Sequence, residues 1–225
     1  MYSIHQESSE LAKDVKPKRR YDSKRRLEQA QETRRAILAA AKKRFEADGY
    51  AAATVAEIAA DAGVATKTVY LAFETKGGVL RGLWNLLLRG EQDDRPVAEQ
   101  EWYREALEER DPERQLRLNA RNSTQGKQRL SSVLEVIRSA ASADGEIDEL
   151  WQRIQSDYRE NQRAIVAELA KRKALSPGLG IERAADILWT INHPNTWQLL
   201  VVQRGWTPEQ YEQWSGDAAC RELLG

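Results

Sequence analysis

The chain has 225 residues, 35 basic and 35 acidic side chains and a single cysteine, Cys220, so it can bury one large or two modest cores and cannot form an internal disulfide. It contains no apolar run of the roughly 18 residues that a membrane-spanning helix needs and no apolar stretch of the kind that marks a signal peptide, so the expectation is a soluble, cytoplasmic protein with no membrane partner. The zero net charge hides an asymmetry: residues 1–90 hold 17 Lys/Arg against 11 Asp/Glu, and residues 91–225 hold 18 against 24, which suggests a polyanion contact confined to the N-terminal third.

Residues 1–31 are polar, lack a helical apolar stripe and include the run KPKRRYDSKRR. They are expected to form a basic, flexible arm that turns helical near its junction with the next segment. From there on the apolar periodicity is helical almost throughout and hairpin signals are missing, which predicts an all-α fold. A first helix is expected from about Glu32 to Asp48, with Leu38, Ala41 and Phe45 on one face and Gly49 as its stop. Thr54 and Glu57 form a capping box ahead of Val55, Ile58, Ala59 and Ala62. Gly63 can take the left-handed conformation that ends this second helix. A short third helix turns Val69 and Phe73 inward, and a fourth starts near Lys76 and carries Leu80, Leu83, Trp84 and Leu87. Asp93-Asp94-Arg95-Pro96 breaks the pattern, placing a first helical domain at 32–92 and a larger helical domain at 93–225.

Within that larger domain one or two helices are expected before Ala143, interrupted near Asp111-Pro112 and at Gly126. A long helix over Glu146–Lys173 comes next, then a loop at 176–180 and apolar segments at 182–192 and 195–204. A last helix has Thr207 as its cap and Pro208 at its first position.

Residues 54–76, TVAEIAADAGVATKTVYLAFETK, read as a helix–turn–helix. Such a motif lays its second helix in the DNA major groove and needs small residues at the crossing, a glycine at the joint and polar donors on the outer face. Ala59, Gly63 and Val64 meet the packing demand; Thr66, Lys67, Thr68 and Tyr70 meet the donor demand, and Lys76 is suited to a phosphate. The same shape also occurs in proteins that never touch DNA. In the arm, Lys18, Arg19, Arg20, Lys24, Arg25 and Arg26 suit phosphate attraction, or a minor groove whose width arginines read. A solubilising tail would have the same composition.

Residues 34–88 resemble the N-terminal domain of the TetR family of bacterial transcriptional regulators. The resemblance rests on Phe45-x-x-x-Gly49-Tyr50, Thr54-Val55-x-x-Ile58-Ala59, Gly63-Val64, Thr68-Val69-Tyr70-x-x-Phe73 and Lys76. It implies a three-helix DNA-binding domain, a linking fourth helix and a larger domain for dimerisation and effector binding. It further implies that Thr54 and Lys76 hold phosphates, that Thr66, Lys67 and Thr68 approach base edges, and that Tyr70 meets a phosphate or a thymine methyl. The implied function is a dimeric repressor released from a palindromic operator on double-stranded DNA by a small molecule. A regulator without such a switch, whether activator or protein-controlled, and a helical interaction dimer that has lost operator recognition are the alternatives. Ala65 stands where many members have a serine cap, which makes Thr66 a candidate cap. Ala56 stands where some members read a base. Gly77-Gly78 replaces a helix-favouring start, at roughly 1 kcal/mol per glycine.

The resemblance also implies a homodimer through the C-terminal helices, 182–192 with either 195–204 or 208–223, using Ile187, Ile191, Leu199 and Val202. A monomer core would want the same residues. An effector pocket is expected from Trp102, Asn119, Ser123, Trp151, Tyr158, Trp189 and His193, although aromatics at helical spacing equally suit a core. Asn119 and Ser123 share the stripe Leu116, Asn119, Ala120, Ser123, Leu130, where buried polar groups would need partners. One cysteine and two distant histidines make no zinc site, and no nucleophile elbow, phosphate loop or dinucleotide fingerprint is present. No enzyme, metal or cofactor is expected.

Overall fold

The computed structural model describes residues 18–89 and 97–224, with side chains described from Lys24 onward. The side chains of Arg19 and Arg20 and the boundary expected at 93–96 lie outside what is described. Among the described residues the fold is helical, and its β content is an isolated bridge between Leu175 and Leu224.

Helix α1 (Lys18–Ala52) starts well before Glu32. This corrects the expected start of the first helix, and the reason is physical: Lys24 to Glu32 are exposed along this segment, so the helix needs no apolar stripe there to announce it. An i,i+4 pair of Lys24 and Glu28 lies on it, of the kind that supports a solvated helix. Near the far end, Gly49 (φ 75°, ψ 167°) breaks the helix, as its place after the last apolar position implied.

Helices α2 (Val55–Asp61), α3 (Thr66–Phe73) and α4 (Lys76–Arg89) come next. They bury Ile58, Val69, Phe73, Leu80 and Leu83 against Ile37, Leu38 and Phe45 of α1. Beyond a 3₁₀ turn at Val97–Glu99 come α5 (Glu101–Glu108) and α6 (Pro112–Ala140). Asp111 accepts the amide of Arg114 and Pro112 opens α6, so the interruption expected there is real. The one expected at Gly126 is not: α6 runs straight through it, since a lone glycine costs a helix only about 1 kcal/mol and the buried face continues past it from Ala120 through Thr124 and Lys127 to Leu130. Helix α7 (Gly145–Lys171), α8 (Ile181–Ile191), α9 (Pro194–Trp197), a π-helical turn (Gln198–Gln203) and α10 (Pro208–Leu223) complete the chain. Thr207 and Gln210 form a capping box at α10.

Two apolar cores result. The first runs without a break from α1–α4 into the second half of α6 and the first half of α7, ending at Leu130 and Ile154. The second joins the start of α6 (Leu116) and the end of α7 (Ile165, Val166, Leu169) to Leu188 of α8 and Leu223 of α10. Between them α6 and α7 carry a layer of polar side chains: Asn119, Ser123, Thr124 and Lys127 face Tyr158 and Gln162.

Candidate DNA interface and effector site

The helix–turn–helix is built by local chemistry. Thr54 Oγ1 accepts from the Glu57 amide at 3.2 Å while Glu57 Oε2 accepts from the Thr54 amide at 3.1 Å, so both orphan donors are satisfied. Thr54 therefore starts α2 and stays exposed at its N-terminus. Gly63 (φ 67°) makes the joint. Arg44 grips Asp61 with two hydrogen bonds, tying α1 to the end of α2. Arg34 donates to the Ala72 carbonyl at 2.7 Å and lies over the Phe73 ring, fixing α3 from the other side.

Helix α3 turns Val69 and Phe73 inward and leaves Thr66, Lys67 and Tyr70 outward, with Thr68 half-buried. Among the described residues, none of these outward side chains makes an intramolecular hydrogen bond. Ala65 is the N-cap and makes no side-chain cap bond, so Thr66 is not the cap. Beside Tyr70, Leu71 is 77% exposed, an apolar group that the sequence reading passed over and that suits a thymine methyl.

Lys76, expected at a phosphate, is engaged within the chain. Its ammonium donates to the carbonyls of Tyr50 (2.8 Å), Ala53 (3.2 Å) and Ala51 (3.4 Å) and lies over the Tyr50 ring. An ammonium has three donors, and all three are used to close the end of α1. The glycines that come after it are also explained by contacts. A Cβ on Gly78 would collide with the Phe73 carbonyl, and one on Gly77 would collide with the Glu146 carboxylate. They permit close approach, which accounts for two poor helix formers at this helix start.

Ion pairs and hydrogen bonds cross from this domain to the body at the N-terminus of α7. Tyr50 Oη donates to Asp144 Oδ2 at 2.8 Å, Thr75 Oγ1 donates to Glu146 Oε2 at 2.7 Å, and Arg81 pairs with Glu146 at 3.3 Å. Burial, then Asp144, pushes the Tyr50 phenol well above its ordinary range, so it is a donor at every physiological pH.

In the polar layer of the body, Asn119 Nδ2 donates to Gln162 Oε1 (2.8 Å), Ser123 and Tyr158 hydroxyls meet at 2.8 Å, and Tyr158 Oη donates to the Asn192 carbonyl at 2.7 Å. His193 bonds Gln155 at 2.8 Å and stacks edge-on with Trp189. Asn119, Ser123, Tyr158, Trp189 and His193 are thus brought together. Trp151 lies against the first core, and Trp102 donates to Gln100 and accepts, through its carbonyl, from Asn122. The residue that sequence reasoning missed is Lys127, 6% exposed at the centre of the layer. Its spacing of four from Ser123, and eight from Asn119, was the available signal. Desolvation brings its ammonium down to about 7. Burial, with the Lys127 charge second, lowers His193 as well.

At the C-terminal end, α8 and α10 flank an open groove lined by Arg183, Ile187, Ile191, Trp214, Ala218 and Arg221. Leu199 and Val202 on the π-helical turn are 54% and 60% exposed. Among the described residues no group of His, Cys, Asp and Glu could hold a metal, and no helix is long and apolar enough to cross a membrane.

Residues 37–83 match the model of the bacterial regulatory proteins of the tetR family. None of the curated proteins matches the sequence significantly. Among solved structures, NalD, the secondary repressor of the MexAB-OprM multidrug efflux pump in Pseudomonas aeruginosa, is 24% identical over 88% of this chain and 98% of its own, with a TM-score of 0.70. A TetR transcription regulator from Haloarcula marismortui is 21% identical over 85% and 98%, TM-score 0.65. SmeT in complex with triclosan is 20% identical over 86% and 92%, TM-score 0.66. At these identities the likenesses show the shared fold.

Proposed function

We propose, from the premise that residues 37–83 form the N-terminal domain of the tetR family of bacterial regulatory proteins, that this chain is a dimeric repressor of transcription whose grip on a palindromic operator is set by a small molecule. The observation that carries the reading is the outer face of α3, where Thr66, Lys67, Tyr70 and Leu71 stand clear of the core on a helix clamped by Arg34 at one end and Gly63 at the other. Two such helices about 34–36 Å apart would enter successive major grooves. Thr54, at the exposed N-terminus of α2, takes a phosphate there. Lys76, spent on backbone carbonyls, is assigned to holding α1 and α4 together instead.

The dimer is formed through α8 and α10. Their groove presents Ile187 and Ile191 between arginines and acids, Arg183 and Arg221 against Asp186 and Glu222. A two-fold axis pairs such a patch with itself, basic on acidic. An effector enters the polar layer between the two cores. Helix α7 spans that layer and, at its N-terminus, holds Tyr50, Thr75 and Arg81 through Asp144 and Glu146. A shift of α7 therefore moves the DNA-binding domain, and an effector that prefers the shifted form releases DNA. The complex of SmeT, which shares the fold, with triclosan supports a small-molecule switch.

The test is a reporter promoter carrying a duplex selected by the protein from a random pool. Lowered transcription on expression of the chain agrees with repression; raised transcription makes it an activator, and unchanged transcription rejects the regulatory reading.

A further inference from the structure

The layer between the cores holds a lysine without a counter-charge. Lys127 Nζ is met by Ser123 Oγ, the Ser123 carbonyl (3.5 Å) and Tyr158 Oη (3.4 Å), and it lies 5.3 Å from the centre of the Tyr211 ring and 5.8 Å from that of Tyr158. Among the described residues no carboxylate pairs with it. The titratable groups that face it are Tyr158 from α7, Tyr211 from α10 and His193 from the junction before α9. Glu135, which lines the same narrow cleft, is paired with Arg138. A buried ammonium without an anion is costly, and nothing in the packing of two apolar cores requires one.

The neighbouring groups are short of acceptors. The Asn195 amide donates to His193 Nδ1 at 3.1 Å, so Nδ1 carries no proton, the proton sits on Nε2, and Nε2 donates to Gln155 Oε1. That fixes the Gln155 amide with its Nε2 unpartnered. Trp189 Nε1 and Thr124 Oγ1 are buried without partners as well, and among the described residues Asn192 Oδ1 is the one orphan that only accepts. Thr124 is 2% and Asn192 1% exposed. Surplus donors gathered at His193, whose ring feels the Lys127 charge, describe with that lysine the complement of a carboxylate, which accepts several hydrogen bonds at once. Flat apolar walls lie alongside: Trp151 and Trp197 line the cleft that reaches Lys127. Gln198, also in that cleft, opens the π-helical turn, a geometry that recurs at functional sites and can yield space by tightening.

We propose that Lys127 anchors the carboxylate of an aromatic acid bound between the two cores, and that aromatic acids are the class of effector to which this chain responds. The proposal rests on the reading of the chain as a ligand-controlled regulator. Gln155 and Trp189 supply the further donors, and the ring system takes the place of cleft side chains between Trp151 and Trp197. Because the ammonium sits near neutrality when empty, an arriving carboxylate draws a proton onto it.

The experiment is calorimetry and thermal melting of the full chain at pH 8 with benzoate and 2-naphthoate, each beside its neutral amide, for wild type and Lys127→Met. The expected result is a raised melting temperature and uptake of close to one proton with the acids only. Lys127→Met should melt higher than wild type when empty and ignore both acids. An equal response to the amides, a response kept by Lys127→Met, or no response to either acid overturns the proposal. The regulatory reading is tested apart, with a selected duplex. A chain that binds the duplex and ignores the acids overturns only this inference, and a chain that binds the acids and no duplex overturns only that reading.

Discussion

The Tyr50 hydroxyl and the Asp144 carboxylate, 94 residues apart, meet at 2.8 Å and join the end of α1 to the cap of α7. Asp144 uses its other oxygen to accept the amides of Glu146 and Ile147, so one carboxylate starts the helix and holds the neighbouring domain. Tyr50→Phe should lower stability by about 1.5–3 kcal/mol, the range for a hydrogen bond to a charged group. Asp144→Ala should cost about 1 kcal/mol more, because the cap is lost as well. Urea denaturation of both variants beside wild type checks the order.

The glycines of α4 and α6 should respond to alanine with opposite signs. At Gly126 a Cβ meets nothing within 4 Å, so Gly126→Ala should stabilise by about 0.5–1 kcal/mol through helix propensity alone. At Gly78 the Cβ is driven into the Phe73 carbonyl, and overpacking against backbone should destabilise by about 1–3 kcal/mol. Thermal melts of the two single variants suffice. A stabilised Gly78→Ala would reject the close approach of α3 and α4.

Two lysines of the DNA-binding domain should separate by the kind of loss they show. Lys76→Ala removes the clamp on three carbonyls and should lower the melting temperature while the salt dependence of DNA binding stays unchanged. Lys67→Ala should leave stability within about 0.5 kcal/mol, as for an ordinary surface change. It should also reduce the magnitude of the slope of log K against log salt, by up to about 1, as one cation leaves the DNA contact. Fluorescence anisotropy across a salt series reads both.

Burial lowers the Lys127 ammonium from 10.5 to about 7, and this sets the sign of its effect on stability. Between those values the unfolded chain keeps a proton that the folded chain has released, so stability rises with pH across that window. The cost is present in full below about pH 7. Lys127→Met lacks it, and its advantage over wild type should shrink by a few kcal/mol between pH 7 and 10, at about 1.4 kcal/mol per pH unit. Paired denaturation curves across that range cancel all other titrations.

Most helices were legible because their local chemistry is self-contained. Thr54 with Glu57 and Thr207 with Gln210 name their own helix starts, and Gly49 and Gly63 mark a break and a joint. The start of α1 was not, since an exposed helix leaves no apolar period to read. Gly77 and Gly78 looked like weak helix formers because their reason lies in Glu146 and Phe73, remote in sequence or visible only as a backbone carbonyl. In the site, the outward face of α3 could be read from period alone. Lys76 could not, because its carbonyl partners depend on how α1 ends. Lys127 was hidden by company: in a chain with 35 basic residues, one more lysine reads as surface until its neighbours at spacing four are placed in the core.

The most direct test of the central claim is selection from a randomised duplex pool at fixed moderate salt, run with wild type beside Lys67→Ala/Tyr70→Ala. The expected result is enrichment of an inverted repeat by wild type alone, its half-sites about one helical turn apart. Weak, salt-steep binding without a motif, equal in the double variant, would contradict recognition through α3.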